Sequence, residues 1–209
     1  EQGIRLQTSV RTSVYYMGFN LLDPVVGGKT HEEQRRAKLL RQALSITLDQ
    51  EEFISIFLNG RGQPGMGPIP PGIFGHQSGQ SGMNPVVYTW KDGAPQRRSI
   101  KEAKALLAQA GWPNGRDRQT GRPLVLNLDT TSGGLGDKST MDWMSRQLNQ
   151  LGIQLVVRST DFNRFQEKLR KGSAQMYFLG WNADYPDPEN FFFLLYGPEG
   201  KVAHGGENT

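Results

Sequence analysis

The chain contains no cysteine. A disulfide framework, a Cys-ligated zinc site and a cysteine nucleophile are therefore excluded. It also lacks any apolar run near the roughly 20 residues needed to span a bilayer, so no membrane span is expected. Histidine is scarce: His31, His76 and His204 stand far apart. His31-Glu32-Glu33-Gln34-Arg35 lacks the second histidine of a zinc-protease motif, so no metal site is expected. Charge of one sign is not concentrated either. The formal net charge is +4, but Arg35, Arg36 and Lys38 follow Glu32 and Glu33, and Lys101 and Lys104 flank Glu102. A dispersed surplus of this kind is a solvated surface, and no nucleic-acid partner is expected.

What remains is a 209-residue chain with 36% hydrophobic and 21% charged residues, enough to bury a sizeable core. It starts Glu1-Gln2-Gly3 without a methionine and ends Gly205-Gly206-Glu207-Asn208-Thr209 in no recognisable element. Both ends are expected to be cuts within a longer protein.

Ser13 to Asn20 is rich in strand-favouring aromatics and reads as a strand. His31 to Leu48 carries helical spacing through Ala37, Leu40, Leu44 and Leu48. Asp49 can cap a second helix over Gln50 to Leu58, with Glu51 and Glu52 in the first turn. Residues 60–88 are dominated by glycine and proline, and a connection that long is a candidate functional loop. Ser99-Ile100-Lys101-Glu102 is a capping box that opens a helix through Ala110, closed by Gly111. Beyond it strand and helix alternate: strand Leu124 to Thr130, helix Lys138 to Leu151, strand Ile153 to Arg158, helix Phe162 to Lys171, strand Gln175 to Leu179. Such alternation implies βαβ units and a single α/β lobe over residues 1–209. A short aromatic helix over Glu189 to Tyr196 follows an irregular stretch from Asn182 to Pro188.

Gly60-Arg61-Gly62-Gln63-Pro64-Gly65 matches GxGxxG literally. The dinucleotide fingerprint needs a strand before it and a helix after it. Here a helix precedes it and a proline sits among the phosphate-binding positions, so it reads as a turn and no cofactor is expected. Asp184, Asp187 and Glu189 form a carboxylate cluster of the type used in acid/base or glycosidase chemistry. The local alternative is structural, with Asp187 capping a helix that Pro188 opens. Asp184 differs, because an aspartate at a strand's end beside Trp181 is well placed to meet a cationic ligand group. The competing reading makes Trp181 plain core.

Five segments together resemble the extracytoplasmic solute-binding proteins of family 5, the peptide/nickel class. They are Tyr15 to Asn20, Arg41 to Glu51, Gly67 to Gly72, Ala103 to Trp112, and Gly180-Trp181-Asn182-Ala183-Asp184-Tyr185-Pro186-Asp187-Pro188 with Glu189-Asn190-Phe191. They fall in family order over most of the chain, and Leu21 to Arg36 departs from the family as a longer, more charged link. The resemblance implies a type II periplasmic-binding-protein clamshell, two α/β lobes around a buried ligand, of which this chain is most of the second large lobe. It also implies a non-enzymatic role: capture of a peptide or similar amine-bearing solute outside the cytoplasmic membrane, in the periplasm or on a lipid anchor, and delivery to ABC permease subunits. Asp184 would take the ligand's ammonium and Trp181 would line the pocket, with Asn182, Tyr185 and Asn20 as further ligand contacts. Other cargo on the same scaffold (nickel chelate, heme, oligosaccharide) and a carboxylate-dependent hydrolase are the alternatives.

Overall fold

The computed structural model describes residues 3, 5, 7, 9–200, 204 and 205. The suspected cut ends, Glu1-Gln2 and Gly206 to Thr209, lie outside them. In chain order the elements are β1 (Ser13–Phe19), α1 (His31–Thr47), α2 (Gln50–Leu58), α3 (Gly79–Gly82), β2 (Tyr88–Lys91), β3 (Ala94–Arg97), α4 (Ile100–Gln109), β4 (Val125–Thr131), α5 (Lys138–Asn149), β5 (Gln154–Thr160), α6 (Phe162–Arg170), β6 (Met176–Asn182) and α7 (Glu189–Phe192).

Local chemistry sets most helix starts. Thr30 and Glu33 form a capping box before α1, and Ser99 and Glu102 form the expected one before α4. Asp49 accepts from the Glu52 amide at 2.9 Å before α2, and Asp137 and Asp161 do the same for α5 and α6. Each cap satisfies an amide that the helix itself leaves without a partner.

The main sheet has the order β1-β6-β4-β5. β4 is parallel to both β5 and β6, while β1 runs antiparallel to β6, so the sheet is mixed. The β4-α5-β5 and β5-α6-β6 crossovers travel in opposite directions across it. Right-handed connections then place α5 and α6 on opposite faces. One face carries the larger core, where Leu126, Leu128, Ile153 and Met176 meet Leu40, Leu44, Ala103, Leu107, Met144 and Leu148. The other face packs Phe165, Leu169, Ala174 and Tyr177 with Tyr16 and Leu179.

Three expectations are corrected in detail. β6 continues through Gly180 and Trp181 to Asn182, three residues past the expected Leu179, because antiparallel pairing with Ser13 to Tyr15 keeps that stretch extended. Residues 88–97 form a hairpin not foreseen from the sequence, turned by Asp92 (φ 52°) and Gly93 (φ 77°). An Asp-Gly pair between short β-prone runs is a strong local hairpin signal. Finally, the long Gly/Pro segment is interrupted by one helical turn, α3.

Candidate functional site

Parallel α/β sheets bind ligands beyond the carboxyl ends of their strands. The carboxyl end of β6 is the stretch singled out from sequence, and the amino end of β1 lies beside it, the Ala183 amide donating to the Thr12 carbonyl at 2.9 Å. Side chains alternate along β6, so Trp181 joins the face bearing Tyr177 and Leu179, and exposed Asn182 points to the opposite face.

Trp181 is half-buried, and its ring meets Phe193 edge-on with centroids 5.0 Å apart. Its indole Nε1 donates to the Asn190 Oδ1 at 3.0 Å. The Asp184 backbone amide donates to the same oxygen at 2.9 Å. Asp184 itself is exposed, and its carboxylate has no hydrogen bond or ion pair among the described residues. Tyr185 is 45% exposed and its hydroxyl donates to Glu189 Oε2 at 2.6 Å. That carboxylate holds the Tyr185 pKa above its ordinary value, against a smaller lowering by the Asn190 amide. Asp187 Oδ1 accepts from the Glu189 amide at 2.9 Å, but Pro188 rather than Asp187 stands at the N-cap of α7, which starts at Glu189 as expected and ends at Phe192 rather than Tyr196, a 3-10 turn over Phe193–Leu195 following it.

The structure thus brings Trp181, Asp184 and Tyr185 together and separates Asn20 from them. Antiparallel pairing puts Phe19 against Met176 and Ser13 against Asn182, so Asn20 lies at the other end of β6, about 20 Å from the motif at roughly 3.3 Å per residue. Its amide is also committed: Nδ2 donates to the carbonyls of Gly172 and Ala174, and Oδ1 accepts from the Leu22 amide. Asn20 ties the end of β1 to the turn between α6 and β6.

Sequence reasoning passed over Asn190, which is 4% exposed. Nothing in the local pattern shows that an asparagine inside a helical turn reaches back to a strand nine residues earlier.

The stretch of chain that carries the motif is acidic. From residue 172 to 200 there are four acids, Asp184, Asp187, Glu189 and Glu199, and no lysine or arginine. Beside the motif, Phe192, Phe193, Leu195 and Tyr196 floor an open groove rimmed by Glu189 and Glu199. An unpaired carboxylate at such a place favours a positive ligand group. Among the described residues no group of three or more His, Asp or Glu side chains could hold a metal ion, and no helix is long and apolar enough to cross a membrane.

Residues 1–202 match the model for the bacterial extracellular solute-binding proteins, family 5 middle. The heme-binding protein A of Haemophilus influenzae is 23% identical over 76% of this chain and 26% of its own length. The oligopeptide-binding protein OppA of Bacillus subtilis is 24% identical over 90% of this chain and 32% of its own. Among solved structures, the ABC transporter-associated periplasmic binding protein DppA of Helicobacter pylori, in complex with the peptide STSA, superposes with a TM-score of 0.64 at 23% identity, over 88% of this chain and 30% of that one. The likeness in structure establishes the α/β periplasmic-binding-protein fold. The chain spans about a quarter to a third of the length of these relatives.

Proposed function

From the premise that this chain belongs to the bacterial extracellular solute-binding proteins of family 5, we propose that it forms one lobe of a clamshell that captures peptides, or similar solutes with a free amine, for an ABC importer. The family is one of binding proteins rather than enzymes, which sets aside hydrolysis by Asp184 and Asp187. The observation that carries the reading is the exposed Asp184 carboxylate at the carboxyl end of β6, unpaired among the described residues, its backbone amide sharing the Asn190 acceptor with the Trp181 indole.

The mechanism is binding without chemistry. The ligand's ammonium donates a charge-assisted hydrogen bond to Asp184, stronger than a neutral one. Closure of a second lobe over this face removes water and strengthens that pair. The closed state is favoured by the ligand's differential affinity for it, and permease subunits at the extracytoplasmic side of the membrane read that state.

A heme or other non-peptide cargo is the second reading, supported by the name of one relative. Heme bears two propionates, and the acid-only stretch from residue 172 to 200 repels them.

The test is calorimetric titration of the full-length protein with trialanine and with N-acetyl-trialanine. Asp184→Ala is expected to weaken trialanine binding by about 2–5 kcal/mol, because the ligand cation loses its partner in a closed site. Acetylation is expected to do the same to the wild type. Equal affinity of Asp184→Ala and wild type for trialanine would sink the assignment.

A further inference from the structure

The site's geometry converges on a residue that never faces the open cleft. Asn190 is 4% exposed, and its Oδ1 receives both the Trp181 indole Nε1–H at 3.0 Å and the Asp184 backbone N–H at 2.9 Å. A carbonyl oxygen has two lone pairs, and both are used. Two N–H groups aimed at one atom also settle which way the amide lies, since only its oxygen can accept from them. The Asn190 backbone is held in turn, its N–H donating to the Asp187 carbonyl at 3.1 Å, and its neighbour Phe191 is 1% exposed. The oxygen is therefore a fixed point at the strand's end. From it hang the orientation of the indole and the direction in which residue 184 leaves β6.

We infer that Asn190 is the positioning residue of the ligand site, setting Trp181 and Asp184 as one unit through a single buried acceptor. This rests on the peptide-binding reading above. The physical requirement is narrow. An apolar side chain of the same size fills the space but strands two donors, and a buried donor without a partner is costly. A glutamine keeps the amide but carries it one methylene further. An aspartate keeps the acceptor in place.

The experiment uses the full-length protein and trialanine. Asn190→Leu is expected to weaken binding by about 10- to 100-fold, and Asn190→Asp to recover most of that loss. Should Asn190→Leu fail to fold, Asn190→Gln carries the same expectation of weakened binding. In an Asp184→Ala background, Asn190→Leu should cost clearly less than it does in the wild type, because the part of its effect that runs through Asp184 is already lost and only the part through Trp181 remains. The Trp181 indole N–H resonance, assigned with Trp181→Phe, should move in Asn190→Leu and stay near its wild-type position in Asn190→Asp.

The outcomes separate. If Asp184→Ala loses affinity while Asn190→Leu and Asn190→Gln do not, the positioning role alone is overturned. Losses that multiply in full between Asp184→Ala and Asn190→Leu overturn it as well, since they mark a general structural effect. If the wild type does not bind trialanine, or Asp184→Ala binds it as well as wild type, the peptide reading falls and this inference with it.

Discussion

At the scale of single residues, two glycines show how one substitution can meet very different resistance. Gly18 of β1 pairs with Tyr177 of β6, and a Cβ built on Gly18 would stand 2.0 Å from the Tyr177 ring carbon Cζ. Tyr177 is only 6% exposed and packs against Phe165 and Leu169, so its ring has nowhere to go. Gly180 is the mirror case: its Cβ would meet Tyr15 ring carbons at 2.7 Å, but Tyr15 is 60% exposed and free to swing. Gly18→Ala is therefore expected to destabilise the fold by about 1–3 kcal/mol, as overpacked cores do, and Gly180→Ala by less than about 1 kcal/mol. Urea unfolding of both variants checks the ordering, and a larger loss in Gly180→Ala would contradict it. Neither strand reads differently from the other at these positions in the sequence. Burial of the partner ring decides, and that is a property of the packed sheet.

At the scale of elements, α6 is held to the sheet by more than its apolar side. Lys168 pairs with Asp129, a β4 residue only 1% exposed, whose second carboxylate oxygen has no hydrogen-bond partner among the described residues. Removing the lysine strands a buried charge, which costs more than the pair itself contributes. Lys168→Met is expected to destabilise by about 1–3 kcal/mol, below the usual figure for a fully buried pair, because Lys168 is 30% exposed and water can take its place. Asp129→Asn in the Lys168→Met background should restore part of the loss. Thermal unfolding of the single and double variants measures both, and an undiminished midpoint in Lys168→Met would refute the account. This ion pair was not legible beforehand, since residues 129 and 168 belong to elements separated by a complete crossover. The helix starts were legible, because Ser99, Asp49 and their acidic partners lie within three residues of one another. The hairpin over β2 and β3 had its Asp92-Gly93 signal in plain view.

At the scale of the whole molecule, the proposed ligand site forms one wall. Asp184 is exposed, Tyr185 is 45% exposed, and the adjoining groove is open to solvent. A charge pair formed against a single wall stays in high dielectric and gains little. The 209-residue chain alone is accordingly expected to bind trialanine at least about tenfold more weakly than the full-length protein, a difference of about 1.4 kcal/mol or more. Side-by-side calorimetry decides it, and equal affinities would mean that this chain carries the complete site.

The sequence by itself determined the order and type of nearly all the elements, the α/β class and the Trp181–Asp184 motif. Those features rest on caps, periodicities and turns that act over a few residues, and on a motif contiguous in the chain. Only the tertiary structure decided which of the candidate residues share a site. Antiparallel pairing of β1 with β6 carried Asn20 to the far end of the sheet, where its amide serves the backbone. The fold of α7 against the end of β6 brought Asn190, with no signal of its own, under both Trp181 and Asp184. The reason is physical: strand direction and the return of a helix onto a sheet are set by long-range pairing and burial, and no local pattern records them.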